Sequence, residues 1–197
     1  MIQQDLVGEN KTTEFQLGGQ PLGLTDYDRL VNGKASLSVQ ISDALRARLA
    51  ISVDMVTDAV IDNRAVYGVT TGFGGMSDER IYCNDVAALQ SNLLTFLATG
   101  AGDVVDSRHT LGAMLLRASV LIQGKSGIRP ELIERLVHFF RQRAVPVVRE
   151  LGSIGASGDL VPLATIARAV TGQAGRCLLY TSPSPRDQRG SRMPSSD

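Results

Sequence analysis

Residues Gly152–Leu163 of this chain have the sequence GSIGASGDLVPL. At its centre three small residues follow one another: Ala156, Ser157 and Gly158. Small side chains and glycine let a backbone bend tightly, and in such a bend the amide nitrogen of Gly158 can attack the carbonyl carbon of Ala156. Loss of one water closes a five-membered ring, and loss of a second water from Ser157 leaves an exocyclic carbon–carbon double bond. The triplet can therefore yield an electrophile made from the backbone.

The same glycines allow two plainer interpretations. Gly152, Gly155 and Gly158 can form an ordinary loop before a helix, and the amino end of a helix can hold a phosphate group. No Gly-Lys-Ser or Gly-Lys-Thr follows the triplet, so a Walker-type loop is not supported there. The segment Gly124–Ser126 fails the same test, because Ser119 stands where the first glycine would be needed and a helix precedes it.

A second glycine-rich stretch, YGVTTGFG, occupies Tyr67–Gly74. Its glycines interrupt any regular helix, and a buried loop of this kind must satisfy its backbone polar groups elsewhere. From these residues alone, the favoured interpretation of Tyr67 is a packed tyrosine with a hydrogen-bonded hydroxyl.

Composition restricts the class of protein. The chain has 197 residues, 43% of them hydrophobic, and a formal net charge of +0. That is enough for one domain with a core, and it gives no electrostatic argument for nucleic acid or an anionic membrane. Two cysteines do not make a disulfide framework, and neither histidine has a partner at metal-ligand spacing. With no secretory signal and no membrane span, we expect a cytoplasmic protein without metal or nucleotide.

Helical spacing of apolar residues runs through most of the chain, and no convincing alternating strand is present. We expect helices over 37–62, 84–99, 107–123 and 159–170, and another that begins at Pro130. A short extended piece is expected at Val145–Val148. The predicted helix boundaries are Ser36 or Ser38, Asp106 or Ser107, Pro130 and Gly172.

Three stretches together resemble the signatures of the aromatic amino-acid ammonia-lyases: the two described above and Leu89–Leu93, with the sequence LQSNL. This family includes histidine, phenylalanine and tyrosine ammonia-lyases and related aminomutases, and the likeness is closest to the bacterial phenylalanine type. It runs from about Leu24 to Gly175. It implies a mainly α fold, the aspartase/fumarase-like helical fold, of which this chain would be a truncated amino-terminal portion. Long central helices of that fold form a homotetramer.

The resemblance also assigns the chemistry. Ala156, Ser157 and Gly158 correspond to the triplet that cyclises to the methylidene-imidazolone (MIO) prosthetic group, and Tyr67 corresponds to the base that takes a proton from the substrate. Such a base must release its phenolic proton near neutral pH, which a closed, positively polarised pocket would favour. The implied reaction removes ammonia from an aromatic amino acid and leaves an α,β-unsaturated acid such as cinnamate.

Four more residues correspond to substrate-binding positions of the family: Gly74, Phe96, Leu97 and Leu160. Phe96 and Leu97 fall where the substrate's ring is read, and relatives that favour tyrosine or histidine tend to carry a histidine there. A hydroxyl buried against Phe96 would lose its water without gaining a partner, at about 1–3 kcal/mol. Phenylalanine is therefore the expected substrate, ahead of tyrosine and histidine. Leu160 fits a substrate pocket and the protein core equally well.

The chain divides into three expected segments. Residues 1–23 are polar and expected to be flexible, residues 24–175 form a partial MIO domain, and residues 176–197 are rich in Arg, Ser and Pro and expected to be disordered. The abrupt change at Arg176 also suits translated library or non-coding sequence joined to a shortened gene. Because the family's carboxylate-binding residues would lie beyond Gly175, we expect this chain by itself to be inactive.

Three alternatives remain open. An aminomutase shares every motif and differs by adding ammonia back. A non-catalytic helical fragment or interaction module would keep the triplet without cyclising it, and its intact mass would show no loss of water. A glycine-loop phosphate binder would be stabilised by nucleotides.

Overall fold

The computed structural model describes residues 13–155, 158–173 and 178–180. Helices make up most of the regular structure there, which confirms the mainly α prediction. The helices are α1 (Leu24–Val31), α2 (Asp43–Ile61), α3 (Cys83–Phe96), α4 (Ser107–Leu121), α5 (Pro130–Arg141) and α6 (Leu160–Thr171). None of these helices is long and apolar enough to cross a membrane.

Short strands accompany the helices. They are β1 (Thr13–Leu17), β2 (Ala35–Val39), β3 (Ala101–Val104), β4 (Ala144–Pro146), β5 (Arg149–Leu151) and β6 (Leu178–Tyr180). β1 pairs with β2 in parallel, and the pairs β3–β5 and β4–β6 are antiparallel. The extended piece expected at Val145–Val148 overlaps β4, whereas the apolar spacing did not indicate the other strands. A strand of three to five residues is too short for an alternating pattern to stand out.

Ordered structure begins before Leu24. Phe15 and Leu17 of β1 are buried in the core, and their Cα partners in β2 are Leu37 and Val39. The expected flexible segment 1–23 is thus ordered from Thr13 onward, while residues 1–12 lie outside the described residues. In the same way β6 falls inside 176–197, whose other residues lie outside the described ones.

α2 begins later than the apolar spacing predicts. Residues 35–39 pair with β1, so their backbone groups are not available to a helix. The hydroxyl of Ser42 accepts a hydrogen bond from the backbone N–H of Leu45 at 3.3 Å and caps α2. Ser36 and Ser38, the expected caps, lie in β2 instead.

The other predicted helix boundaries are confirmed. Asp106 caps α4, because its carboxylate accepts a hydrogen bond from the backbone N–H of Arg108 at 2.8 Å. Pro130 is the first residue of α5, where its missing N–H costs nothing. Gly172 ends α6 with φ +81, a left-handed conformation that favours glycine.

The core is centred on α4. Leu111, Met114 and Leu115 are fully buried, and α4 packs against α1 and α5. α3 lies less deeply, since none of its residues is fully buried. Its main helix partners are α2 and α6. Its apolar stripe, Val86, Leu89 and Leu93, is only half-buried.

Candidate functional site

The tyrosine loop, residues 66–76, connects α2 with α3 and is organised by two buried threonines. The hydroxyl of Thr70 accepts from the N–H of Val66 at 2.8 Å and donates to the carbonyl of Arg64. The hydroxyl of Thr71 accepts from the N–H of Gly68 at 3.2 Å and donates to the carbonyl of Gly72 at 3.0 Å. Threonine side chains thus supply the partners that a loop without regular structure needs.

Tyr67 and Gly74 meet in this loop. The phenol oxygen of Tyr67 accepts a hydrogen bond from the backbone N–H of Gly74 at 3.0 Å. The ring lies edge-on to Phe73, with centroids 6.4 Å apart and an interplanar angle of 88°. Gly74 has φ +57, so glycine is the residue that this turn favours.

Gln90 ties the tyrosine loop to α3. Its side-chain Nε2 donates to the carbonyl of Gly68 at 2.7 Å. Sequence reasoning quoted Gln90 in the stretch LQSNL but assigned it no role. The sequence indicated only that Gln90 belongs to this stretch and lies next to the helix face formed by Leu89 and Leu93.

The triplet loop is held at both flanks, although Ala156 and Ser157 themselves lie outside the described residues. The hydroxyl of Ser153 donates to the carboxylate of Asp159. Asp159 has φ +54, a left-handed conformation that is unusual for a residue other than glycine. The N–H of Gly158 donates to the carbonyl of Gly155 at 3.3 Å. These contacts connect the described residues on the two sides of the triplet.

The flanks leave room for a backbone-derived ring. A Cβ atom added to Gly155 or to Gly158 would meet nothing within 4 Å. Gly158 has φ +83, which a tight turn requires and glycine permits. α6 begins two residues after Gly158; in its first turn Pro162 has no N–H and the N–H of Leu163 donates to the carbonyl of Asp159, so Leu160 and Val161 are the residues there whose N–H groups have no partner within the helix. These residues fit the MIO group that the family resemblance implies.

The end of α3 lies against the base of the triplet loop. β3, which follows α3, pairs with β5, which precedes the loop. A Cβ atom added to Gly152 would be 3.4 Å from the Cα of Gly100 and 2.8 Å from Cγ1 of Val161. Only a residue without a side chain fits this close approach.

Two of the four predicted substrate-binding residues line one cavity. Leu97 and Leu160 both line an apolar cavity of about 320 Å³ between α3, α4, α5 and α6, with Arg117 as its charged residue. Phe96 does not line this cavity and its side chain is 76% exposed. Within residues 13–155, 158–173 and 178–180, no group of three or more His, Cys, Asp or Glu side chains could hold a metal ion.

The described residues form a mainly helical chain that carries the tyrosine loop and the glycine-rich flanks of the Ala-Ser-Gly triplet. The family model described as "Aromatic amino acid lyase" matches residues 22–197, and the chain belongs to that family. The matched range extends past Gly175, where the sequence resemblance was expected to stop.

Curated relatives carry two different substrate names. The chain is 47% identical over 131 residues to the phenylalanine ammonia-lyase of Nostoc punctiforme, which covers 66% of this chain and 23% of that protein. It is 44% identical over 132 residues to the histidine ammonia-lyase of Bacillus subtilis, at 67% and 26% coverage. The chain thus spans about a quarter of the length of these relatives.

Solved structures show the same fold. The phenylalanine aminomutase of Pantoea agglomerans matches with a TM-score of 0.67 and 29% identity, over 79% of this chain and 29% of that one. The ergothionase of Treponema denticola matches with a TM-score of 0.71 and 25% identity, over 79% and 31%.

Proposed function

We propose that this chain forms the electrophile-bearing part of an aromatic amino-acid ammonia-lyase, a carbon–nitrogen lyase. The observation that carries the proposal is the hydrogen bond of 3.0 Å from the N–H of Gly74 to the phenol oxygen of Tyr67. This bond holds the phenol oxygen at a defined place in the loop, and the family resemblance identifies Tyr67 with the base. Tyr67 takes a proton from the carbon next to the one that bears the substrate's amine.

The proposed electrophile is MIO, formed from Ala156, Ser157 and Gly158 without metal or nucleotide. Once formed, it supplies an electron sink for the substrate's amine or ring. The hydrogen of the substrate is only weakly acidic, so a positioned base and a sink are both needed. The amino end of α6, with the N–H groups of Leu160 and Val161, stabilises negative charge that develops on the electrophile.

The proposed substrate is an aromatic L-amino acid, with phenylalanine favoured over tyrosine and histidine. Support comes from the apolar cavity that Leu97 and Leu160 share. Phe96 lies outside this cavity and supports the preference only through the family resemblance. An aminomutase is the second candidate, since a phenylalanine aminomutase shares the fold. Analysis of the products separates the two, because only an aminomutase returns a β-amino acid.

The proposed complete enzyme is a cytoplasmic homotetramer, and the chain of 197 residues by itself is inactive. Tyr67 is 66% exposed and Phe96 is 76% exposed, whereas a site that removes such a proton must exclude water. Other segments of the fold would have to cover both side chains. The chain spans about a quarter of its relatives, which is consistent with that requirement.

The intact mass of the purified chain tests the electrophile. Cyclisation makes the chain lighter by two waters, and Ser157→Ala abolishes the second loss because alanine has no hydroxyl to eliminate. Ser91→Ala, an exposed serine on α3, is the matched control and keeps the wild-type mass loss. A wild-type chain with its full unreacted mass under folding conditions contradicts the proposal.

A chimera tests the substrate. Residues 24–173 of this chain replace the matching segment of the phenylalanine ammonia-lyase of Nostoc punctiforme, and cinnamate release from phenylalanine is followed by its absorbance. We expect activity with phenylalanine that exceeds that with tyrosine or histidine, and a loss of at least about 100-fold for Tyr67→Phe. Equal rates for all three amino acids would refute the substrate preference. A Tyr67→Phe chimera that remains active would refute the assignment of Tyr67 as the base.

A further inference from the structure

The backbone beside Tyr67 is held from outside the tyrosine loop. The contact from Nε2 of Gln90 to the carbonyl of Gly68 is 2.7 Å long, partly buried, and spans 22 residues of sequence. Gly68 has φ +71, a conformation that most other residues avoid. A Cβ atom added there would also lie 2.8 Å from the ring of Phe73. The position of this peptide is therefore narrowly defined.

Gly68 is bound through both of its backbone groups. Its N–H donates to the hydroxyl of Thr71 at 3.2 Å, and its carbonyl accepts from Gln90. The side chain of Tyr67, in contrast, is 66% exposed. Packing does little to orient an exposed ring. The hydrogen bond from the N–H of Gly74 to the phenol oxygen therefore persists only while the backbone on both sides of Tyr67 keeps its position.

We propose that Gln90 is a positioning residue for Tyr67: its amide donor holds Gly68 so that the phenol oxygen remains on the N–H of Gly74. This inference rests on the proposed function, in which Tyr67 is the base. Gln90 acts through the backbone of Gly68 and not on the substrate.

The placement of Gln90 also links the base to the cavity. Leu97 follows Gln90 by seven residues, which is two turns or about 10 Å along a helix. Near its middle, α3 holds the tyrosine loop through Gln90. At its carboxyl end, the same helix lines the apolar cavity through Leu97. One helix therefore sets the position of the base relative to the place where the ring of a substrate would lie.

Two variants of the full 197-residue chain remove the donor in different ways. Gln90→Met keeps a similar length without any polar group, and Gln90→Glu keeps the shape but replaces the donor by an acceptor. Asn92→Asp is the matched control, since it makes the same amide-to-acid change on an exposed residue of α3.

Hydrogen exchange followed by mass spectrometry gives the first measurement. We expect the backbone of residues 66–72 to exchange about fivefold faster in both Gln90 variants, which is the effect of losing one net hydrogen bond. α4 should keep its wild-type exchange, and Asn92→Asp should leave both regions unchanged. Equal acceleration in α4 would assign Gln90 a general role in stability and overturn the proposal.

The amide signal of Gly74 in a nitrogen–proton correlation spectrum gives the second measurement. Tyr67→Phe defines the position of this signal when the hydrogen bond to the phenol oxygen is absent. In Gln90→Met and Gln90→Glu the signal should move toward that position, and a signal that stays at its wild-type position would overturn the proposal.

The two hypotheses fail in different ways. A chain that never loses two waters contradicts the proposed electrophile, whereas the exchange and the Gly74 signal read the Gln90–Gly68 contact in cyclised and unreacted chains alike. Wild-type exchange in the Gln90 variants, in a chain that does cyclise, contradicts the positioning role alone.

Discussion

The hydroxyl of Ser153 donates a hydrogen bond to the carboxylate of Asp159, and the two residues bracket the Ala-Ser-Gly triplet. Between them the N–H of Gly158 reaches the carbonyl of Gly155. The ends of the loop are thus joined before any ring closes. A loop whose ends are already joined loses less conformational entropy when its centre bends further.

Ser153→Ala should therefore slow the cyclisation. Removing one hydrogen bond of this kind corresponds to about 1 kcal/mol, so we expect a rate lower by roughly fivefold. The measurement is the time course of the two-water loss in intact mass after refolding. Ser153→Thr keeps the hydroxyl and should retain the wild-type rate. A Ser153→Ala chain that cyclises as fast as wild type would show that the Ser153–Asp159 bond does not assist the reaction.

Gly72→Ala should destabilise the tyrosine loop. A Cβ atom at this position would lie 2.5 Å from the backbone oxygen of Met76, and relieving such a clash costs about 1–3 kcal/mol. Gly75→Ala is the control, because a Cβ atom there meets nothing within 4 Å. Denaturant unfolding should show the loss for Gly72→Ala and a change within about 0.5 kcal/mol for Gly75→Ala. Equal free energies of unfolding for both variants would contradict the described loop.

Two adjacent leucines of α4 should differ sharply in the free energy of unfolding that is lost when each is replaced by alanine. Leu115 is fully buried, so Leu115→Ala should cost about 2–5 kcal/mol of unfolding free energy. Leu116 is 50% exposed, and Leu116→Ala should cost less than about 1 kcal/mol. Urea titrations of both variants measure the difference. The reverse order would show that α4 is rotated about its axis from the described position.

Asp106 should make the stability depend on pH in the acid range. The side chain of Arg108, with its backbone N–H, lowers the pKa of Asp106 from 3.8 to about 2. Because the pKa is lower in the folded chain, this contribution is complete above about pH 4 and is lost as the pH falls toward 2.

Asp106→Asn isolates that contribution, since asparagine still caps α4 but does not titrate. The difference in unfolding free energy between wild type and Asp106→Asn should be constant above about pH 5 and should shrink between about pH 4 and 2. Both side chains of the pair are exposed, so 1 M salt should weaken the effect. A difference that does not change with pH would contradict the pairing with Arg108.

Much of the fold could be predicted from local signals. The caps at Asp106, Pro130 and Gly172 each depend on one residue and its immediate neighbours, and the structure confirms them. β1 and β2 could not be predicted, because strands of five residues gain their stability from a partner that is distant in sequence. The late start of α2 has the same cause.

The candidate site divides in a similar way. The triplet and Tyr67 belong to long, distinctive stretches, whereas Gln90 gave no sign that it binds Gly68. A glutamine on a helix is compatible with many environments. Only the packing of α3 beside the tyrosine loop brings the side chain of Gln90 to the carbonyl of Gly68. Likewise, sequence alone left Leu160 open between pocket and core, and the structure places it on the same cavity as Leu97.

The sequence by itself determined the family, the helical class and the residue types that the proposed chemistry requires. Those properties reside in contiguous stretches whose backbone preferences are local. The tertiary structure alone decided which residues hold the two loops: Gln90 on Gly68, Gly74 on Tyr67, and β3 with β5 at the base of the triplet. Hydrogen bonds between distant segments depend on the path of the whole chain, and no single stretch of sequence encodes that path.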